Sequence, residues 1–178
     1  MNIHPIIVHF PIALLMVYAW CELVSLFSPS LKDKLTTTKL ICLWIGVIGS
    51  FLALQSGEFA QESFGRSNLI HTHEERAEKS HALFLILAIV YLIEQALKYN
   101  WMSKYFSFLT LEYRTTLTKI LSSSRVQWSK AILACLGVII LTIVWALGGA
   151  IVRGVGTGDP ISDWAVKTFV GSSTGVNR

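Results

Sequence analysis

The sequence predicts an all-α integral membrane protein: a four-helix bundle with both termini on the outer side and an interfacial helix on the inner side, between helices three and four. Three observations predict it. The 178 residues are 53% hydrophobic and only 15% charged, with a mean hydropathy of +0.56, far too apolar for a soluble domain of this size. The apolar residues gather into four stretches, Ile6–Phe27, Leu40–Ala60, Ala82–Leu97 and Ala131–Val152. Lys and Arg are spread unevenly over the connections between them, as membrane orientation requires.

At about 1.5 Å per residue, the first and last stretches cross a hydrocarbon core of roughly 30 Å unaided. The first is kept as a helix, because no basic region precedes it and no small-residue cleavage site follows it. The second and third have short apolar centres, Leu40–Leu54 and Ala82–Ile93. They reach spanning length only by accepting Gln55, Gly57 and Glu58 at one end and Lys79, Ser80 and His81 at the other. A bundle that turns those polar ends inward satisfies them. The expected spans are residues 6–27, 40–60, 80–98 and 131–152 of a domain covering 1–153. Residues 103–122 mix apolar and aromatic side chains with basic ones and read as the interfacial helix. In the tail, 154–178, the glycines and Asp159-Pro160 read as turns before a short apolar stretch, Ile161–Val170, that caps the outer face.

Orientation follows from charge. Lys32, Lys34 and Lys39 in the first connection, and Lys98, Lys104, Arg114, Lys119, Arg125 and Lys130 in the third, place those connections in the cytoplasm. The net charge of +4 comes from these loops, so nucleic-acid binding is not needed to explain it. Glu22 and Glu94, near the same ends, read as snorkelling groups or as partners of Lys or Arg. Cys21, Cys42 and Cys135 have no paired spacing and read as small apolar residues.

All five histidines fall on the other side: His4 and His9 open helix one, and His71, His73 and His81 precede or open helix three. Pro5 suits the first helical turn, whereas Pro11, inside the helix, frees a carbonyl and helps aim His9 inward. His73, Ala77 and His81 are spaced by four and share a stripe, with Glu74 and Glu78 on the adjoining one. His9 and His81 form an inner layer, and His4 and His73 an outer one, with His71 left as a loop residue. On helix two, Gly46, Gly49, Ser50, Ala53, Gly57 and Ala60 make a smooth stripe that admits a neighbouring helix or a flat ring.

Two imidazoles facing each other from different helices can ligate a haem iron axially inside a bundle. The first expectation is therefore a b-type cytochrome-like electron carrier. Its haem b lies between helices one and three, held by His9 and His81, with His73 as the substitute ligand and His4 in the outer layer. The alternative is a divalent zinc or iron site built from His4, His73, Glu58 and Glu74, acting as a sensor, accessory or structural staple. Glu58 also suits the role of accepting the second N–H of a ligating histidine. A third reading is a non-catalytic structural subunit. No phosphate loop, nucleophile elbow or thiol pair is present, so the chain reads as a carrier or binding subunit rather than an enzyme.

The combination of His4-Pro5-x-x-Val8-His9-Phe10-Pro11-Ile12-Ala13-Leu14-Leu15, Ser56-Gly57-Glu58-x-Ala60-x-Glu62, His73-Glu74-x-x-Ala77 and Gly148-Gly149 resembles the bacterial membrane family known as domain of unknown function 2231. The resemblance covers most of residues 1–160. It implies a four-helix inner-membrane module, whose termini the charge distribution places in the periplasm, and which in some bacteria is fused to or encoded with periplasmic cytochromes. The partners it implies are the lipid bilayer and such cytochromes or a larger membrane complex. The long connection Lys98–Lys130 departs from the family pattern and leaves room for a partner specific to this chain.

Overall fold

In the computed structural model the described residues are 4–64, 67–99, 111–153 and 159–171, with side chains described for these except at 4–6, 29, 59–64, 99 and 111. Among them there are six helices and no strand: α1 (His4–Phe27), α2 (Pro29–Phe64), α3 (Asn68–Tyr99), α4 (Leu111–Leu121), α5 (Ser124–Arg153) and α6 (Pro160–Phe169). Four of them, α1, α2, α3 and α5, are long and apolar enough to cross a membrane.

The helix boundaries have local causes. Pro29 has no N–H to continue the α1 ladder, so α1 stops at Phe27 and α2 starts after a single intervening residue, Ser28. From Pro29 onward nothing breaks the chain, and the Thr36 hydroxyl folds back on the Lys32 carbonyl at 2.9 Å. The helix therefore begins well before Leu40, and Lys39 belongs to it rather than to a loop. Ser67 caps α3 by accepting from the Ile70 N–H at 3.2 Å. That cap places His71 inside α3 and corrects its assignment to a loop. Lys130, also expected in a connection, lies one and a half turns inside α5.

Of the expected interfacial helix, α4 covers Leu111–Leu121, with Tyr113 and Ile120 exposed on it; residues 103–110 lie outside the described residues. In the tail, the Asp159 carboxylate accepts from the Ile161 N–H with Pro160 in the first turn, which starts α6. Gly171, at φ 85°, closes it in the left-handed region, with its N–H on the Val166 carbonyl at 3.2 Å. Ala165 and Val166 of α6 and Val170, its C-cap, pack against Ala146, Leu147 and Ala150 of α5.

Helix α1 packs against α2 and α5, and α3 against α5 and α2. The central core holds Leu15, Tyr18, Leu43, Phe84, Leu87 and Ala134, all essentially inaccessible. Lipid offers helices no hydrophobic reason to associate, so close packing over small residues has to supply it. A Cβ on Gly137 would stand 2.6 Å from the Phe84 ring, and one on Gly46 2.6 Å from Leu15. Gly49 likewise receives Pro11, at 3.1 Å. The first half of the smooth stripe on α2 thus serves helix packing. Outward, Trp20, Phe27, Ile48, Phe51, Ile86 and Ile139 are exposed, an apolar surface that suits lipid rather than water.

Candidate functional site

At the histidine end, α1, α2, α3 and α5 part around a cavity of about 470 Å³, within the range of about 300–1,000 Å³ usual for small-molecule sites. Its walls are mostly apolar, with Ile12, Leu15, Leu141 and Val144 among them, and Ala53 and Gly57 of the α2 stripe. His9, His73 and His81 all line it, as do Glu58, Glu74, Glu78 and Arg153. The described candidate residues therefore come together around one space. The side chain of His4 lies outside the described residues. His71 is exposed and does not line the cavity.

Both α3 histidines are held at Nδ1. The His73 Nδ1 stands 3.1 Å from the Val144 carbonyl. A carbonyl only accepts, so Nδ1 carries the proton and the ring lone pair is on Nε2. The His81 Nδ1 is 2.8 Å from the Ser50 Oγ, and that hydroxyl donates to the Val47 carbonyl at 2.9 Å. Ser50 has a single proton, already directed to Val47, so His81 is the donor and it too carries its lone pair on Nε2. An anchored Nδ1–H with a basic Nε2 is the arrangement of a metal-ligating imidazole. The sequence pointed to Glu58 for the anchoring role; at these two Nδ1 atoms a backbone carbonyl and a serine fill it.

Depth follows from the same contacts. Pro11 packs on Gly49, next to the Ser50 that bonds His81, so His81 lies at the level of Pro11, within a turn of His9. His73 is eight residues further out on α3, about 12 Å along the axis. The Gly148-Gly149 pair gives α5 its two seats. A Cβ on Gly148 would be 3.1 Å from the His73 Cε1, and one on Gly149 2.7 Å from the Arg153 Nη2. One glycine admits the imidazole, and the other lets the guanidinium fold back along its own helix. Arg153 there pairs with Asp159 and donates to the Ser162 hydroxyl at 3.3 Å. The Ser162 hydroxyl donating at 2.8 Å, helped by the Ile161 N–H and the Arg153 charge, holds the Asp159 carboxyl below the usual carboxylate range.

Ser80 is the residue that sequence reasoning missed. It lines the cavity, is 1% exposed, and its hydroxyl has no hydrogen-bond partner among the described residues. A buried donor of this kind is uncommon and looks for an acceptor from the space it borders. Its signal was weak: one serine beside the more conspicuous His81. Among the described residues, no group of three or more His, Cys, Asp or Glu side chains stands close enough to hold a metal ion. His73, Glu58 and Glu74 share the cavity without converging as a metal-holding group.

The opposite end holds a second polar cluster. Glu22 (α1) pairs with Lys39 (α2) at 3.2 Å, their side chains 2% and 4% exposed. Lys130 (α5) pairs with Glu94 (α3) through both carboxylate oxygens, at 2.8 and 2.9 Å. Tyr91 joins the two pairs: its hydroxyl donates to Glu22, and its ring carries the Lys130 and Lys39 ammonium groups at 4.3 and 5.6 Å. Pairing with lysines was one of the two readings of Glu22 and Glu94. That both lysines are buried was not foreseen.

Four apolar spanning helices enclosing a ligand-sized, histidine-lined cavity define a multi-pass membrane protein. The chain belongs to the family described as Predicted membrane protein (DUF2231), whose profile matches residues 1–159. Comparison with curated proteins and with solved structures gives no match.

Proposed function

We propose that the cavity binds haem b and that the protein is a membrane electron carrier, with His81 and His9 as axial ligands and His73 as the substitute. The observation that carries this reading is the tautomer of the two α3 histidines, each anchored at Nδ1 with its lone pair on Nε2. A bare ion asks for three or four converging donors, and the described residues offer no such group. Haem brings its own equatorial nitrogens and asks only for axial imidazoles in an apolar, flat-walled space. The cavity volume, the small residues Ala53 and Gly57 in its wall, and the Ser80 hydroxyl at its base suit such an occupant. When bound, the group supplies one-electron chemistry. The chain's own part is to hold the axial nitrogens, exclude water, and set the potential through burial and hydrogen bonding at Nδ1.

The histidine end is assigned to the periplasmic face of a bacterial inner membrane, where a soluble cytochrome can meet it, because the lysine-rich connections lie at the other end. The deciding experiment is an absorption spectrum with iron analysis on protein purified from haem-sufficient cells. The expected result is a Soret band with stoichiometric iron, lost in His81→Ala. A colourless protein that takes up no added hemin refutes the reading.

A further inference from the structure

We propose that α6 is a lipid-facing helix. It lies on the membrane side of α5, with Ile161, Trp164 and Lys167 set against the phospholipids at the histidine end, and it does not cap the bundle as the sequence suggests. The proposal stands apart from the haem reading and does not depend on it.

Side chains spaced by three and four along a helix form one stripe. On the inner half of α5 such a stripe, Ile132, Leu136 and Ile139, is apolar and exposed, the surface that a spanning helix turns to lipid. Continued outward at the same spacing, the stripe becomes Ile143, Ala146, Leu147 and Ala150, and there Ala165, Val166 and Val170 cover it. Helix α6 thus occupies the place that lipid holds further in. The cavity is on the other side of α5, lined by Leu141, Val144, Gly148 and Val152, so α6 is not its lid.

Two contacts fix the direction in which α6 runs. At its start, Asp159 and Ser162 hold Arg153, the last residue of α5. At its end, the Phe169 ring carries the Arg76 guanidinium at 5.0 Å. Arg76 lies inward of His73, because α3 runs antiparallel to α5: His73 meets Gly148, and Phe84 meets Gly137. Helix α6 therefore folds back along α5 toward the membrane, and its 10 residues cover about 15 Å. The side turned away from α5 carries Ile161, Trp164 and Thr168, at spacings of three and four, with Lys167 beside them, all exposed. Trp164, 55% exposed, stands edge-on to Phe169 at 5.7 Å. An indole, apolar with a single N–H, belongs at the level of lipid headgroups, and a lysine next to it reaches their phosphates. Facing lipid, Ile161 and Trp164 extend outward the apolar surface that Ile132, Leu136 and Ile139 begin.

The test uses the full chain reconstituted in phosphatidylcholine bilayers, with and without bromine near the glycerol end of the acyl chains. Bromine quenches an indole on contact, and the Trp164 share of the emission is the difference between the native protein and Trp164→Phe. That share should lose most of its intensity in the brominated bilayer. Thr168→Trp, one turn further in on the same face, adds an indole whose emission should be quenched at least as much, and it decides the question if Trp164→Phe does not fold. An indole at either position that brominated lipid leaves unquenched overturns the proposal. Acrylamide in the water then tells which alternative holds: quenching places α6 in water, and shielding places a protein partner or a second copy over it.

Discussion

Replacing Lys39 by methionine tests whether the pair with Glu22 is as strongly coupled as its burial implies. The two charges are 3.2 Å apart with 2% and 4% of their side chains exposed. At an effective dielectric of about 20, their attraction at that distance is about 5 kcal/mol. Without Lys39 the Glu22 carboxylate keeps the Tyr91 hydroxyl but loses its counter-charge, and breaking a buried pair from one side costs about 3–5 kcal/mol. Glu22→Gln leaves the Lys39 ammonium in the same position and should cost a similar amount. The double variant removes both charges and should fall within about 1 kcal/mol of the native protein, because the desolvation cost disappears with the attraction. The coupling is measured by a double-mutant cycle on reversible unfolding in detergent micelles. A Lys39→Met cost below about 1 kcal/mol, or a double variant equal to the sum of the singles, would refute the reasoning.

Ser50→Ala takes the acceptor from the His81 Nδ1–H and should weaken hemin binding about 10–100-fold, as read by titration of the Soret band; unchanged affinity would count against His81 as a ligand. Gly148→Ala drives a Cβ to 3.1 Å from an imidazole already tied to Val144, at a cost of about 1–3 kcal/mol in unfolding assays. Gly149→Ala would bring a Cβ to 2.7 Å from the Arg153 Nη2 and 3.1 Å from the Ser162 Oγ, both held in the Asp159 clamp, and should cost a similar amount and loosen α6 as well; no measurable cost in either variant would be wrong for this packing. The clamp of Arg153, Asp159 and Ser162 should open in acid. The folded-state pKa of Asp159 is lowered, so its contribution is complete above the unfolded value of about 3.9 and is lost as pH falls through the depressed one. Trp164 fluorescence on α6 should hold steady from neutral pH to about pH 4 and change only below that, and Asp159→Asn should show the acid signal at neutral pH.

Much of the fold was legible because hydropathy and spacing are local properties. The four apolar stretches, the shared stripe of His73, Ala77 and His81, and the start of a short element at Asp159-Pro160 all reappear as helices or helix faces. What could not be read depends on contacts between distant residues. Lys39 and Lys130 entered the charge count as loop cations because apolar centres mark where a span is driest, and say nothing of where its helix ends. With Ser28-Pro29 as the nearest break, α2 carries Lys39 into the bundle toward a carboxylate on α1. The partners of the histidines escaped notice for a related reason. Ser50 belonged to a smooth stripe and read as merely small, and Val144 contributes a carbonyl that its side chain cannot advertise.

These contacts assign different work to the two ends of the bundle. In hydrocarbon a polar group without a partner costs several kcal/mol, so where a chain satisfies such groups internally it has closed that region to ligands. The Glu22–Tyr91–Lys130 end is closed in this sense: each charge meets an opposite one on another helix. The histidine end has the reverse character, since the Nδ1 protons of His73 and His81 are held by the protein with the ring lone pairs on Nε2, and the buried Ser80 hydroxyl, without a partner among the described residues, belongs to the lining of the same cavity. The haem proposed for the cavity is the partner that such an end would receive.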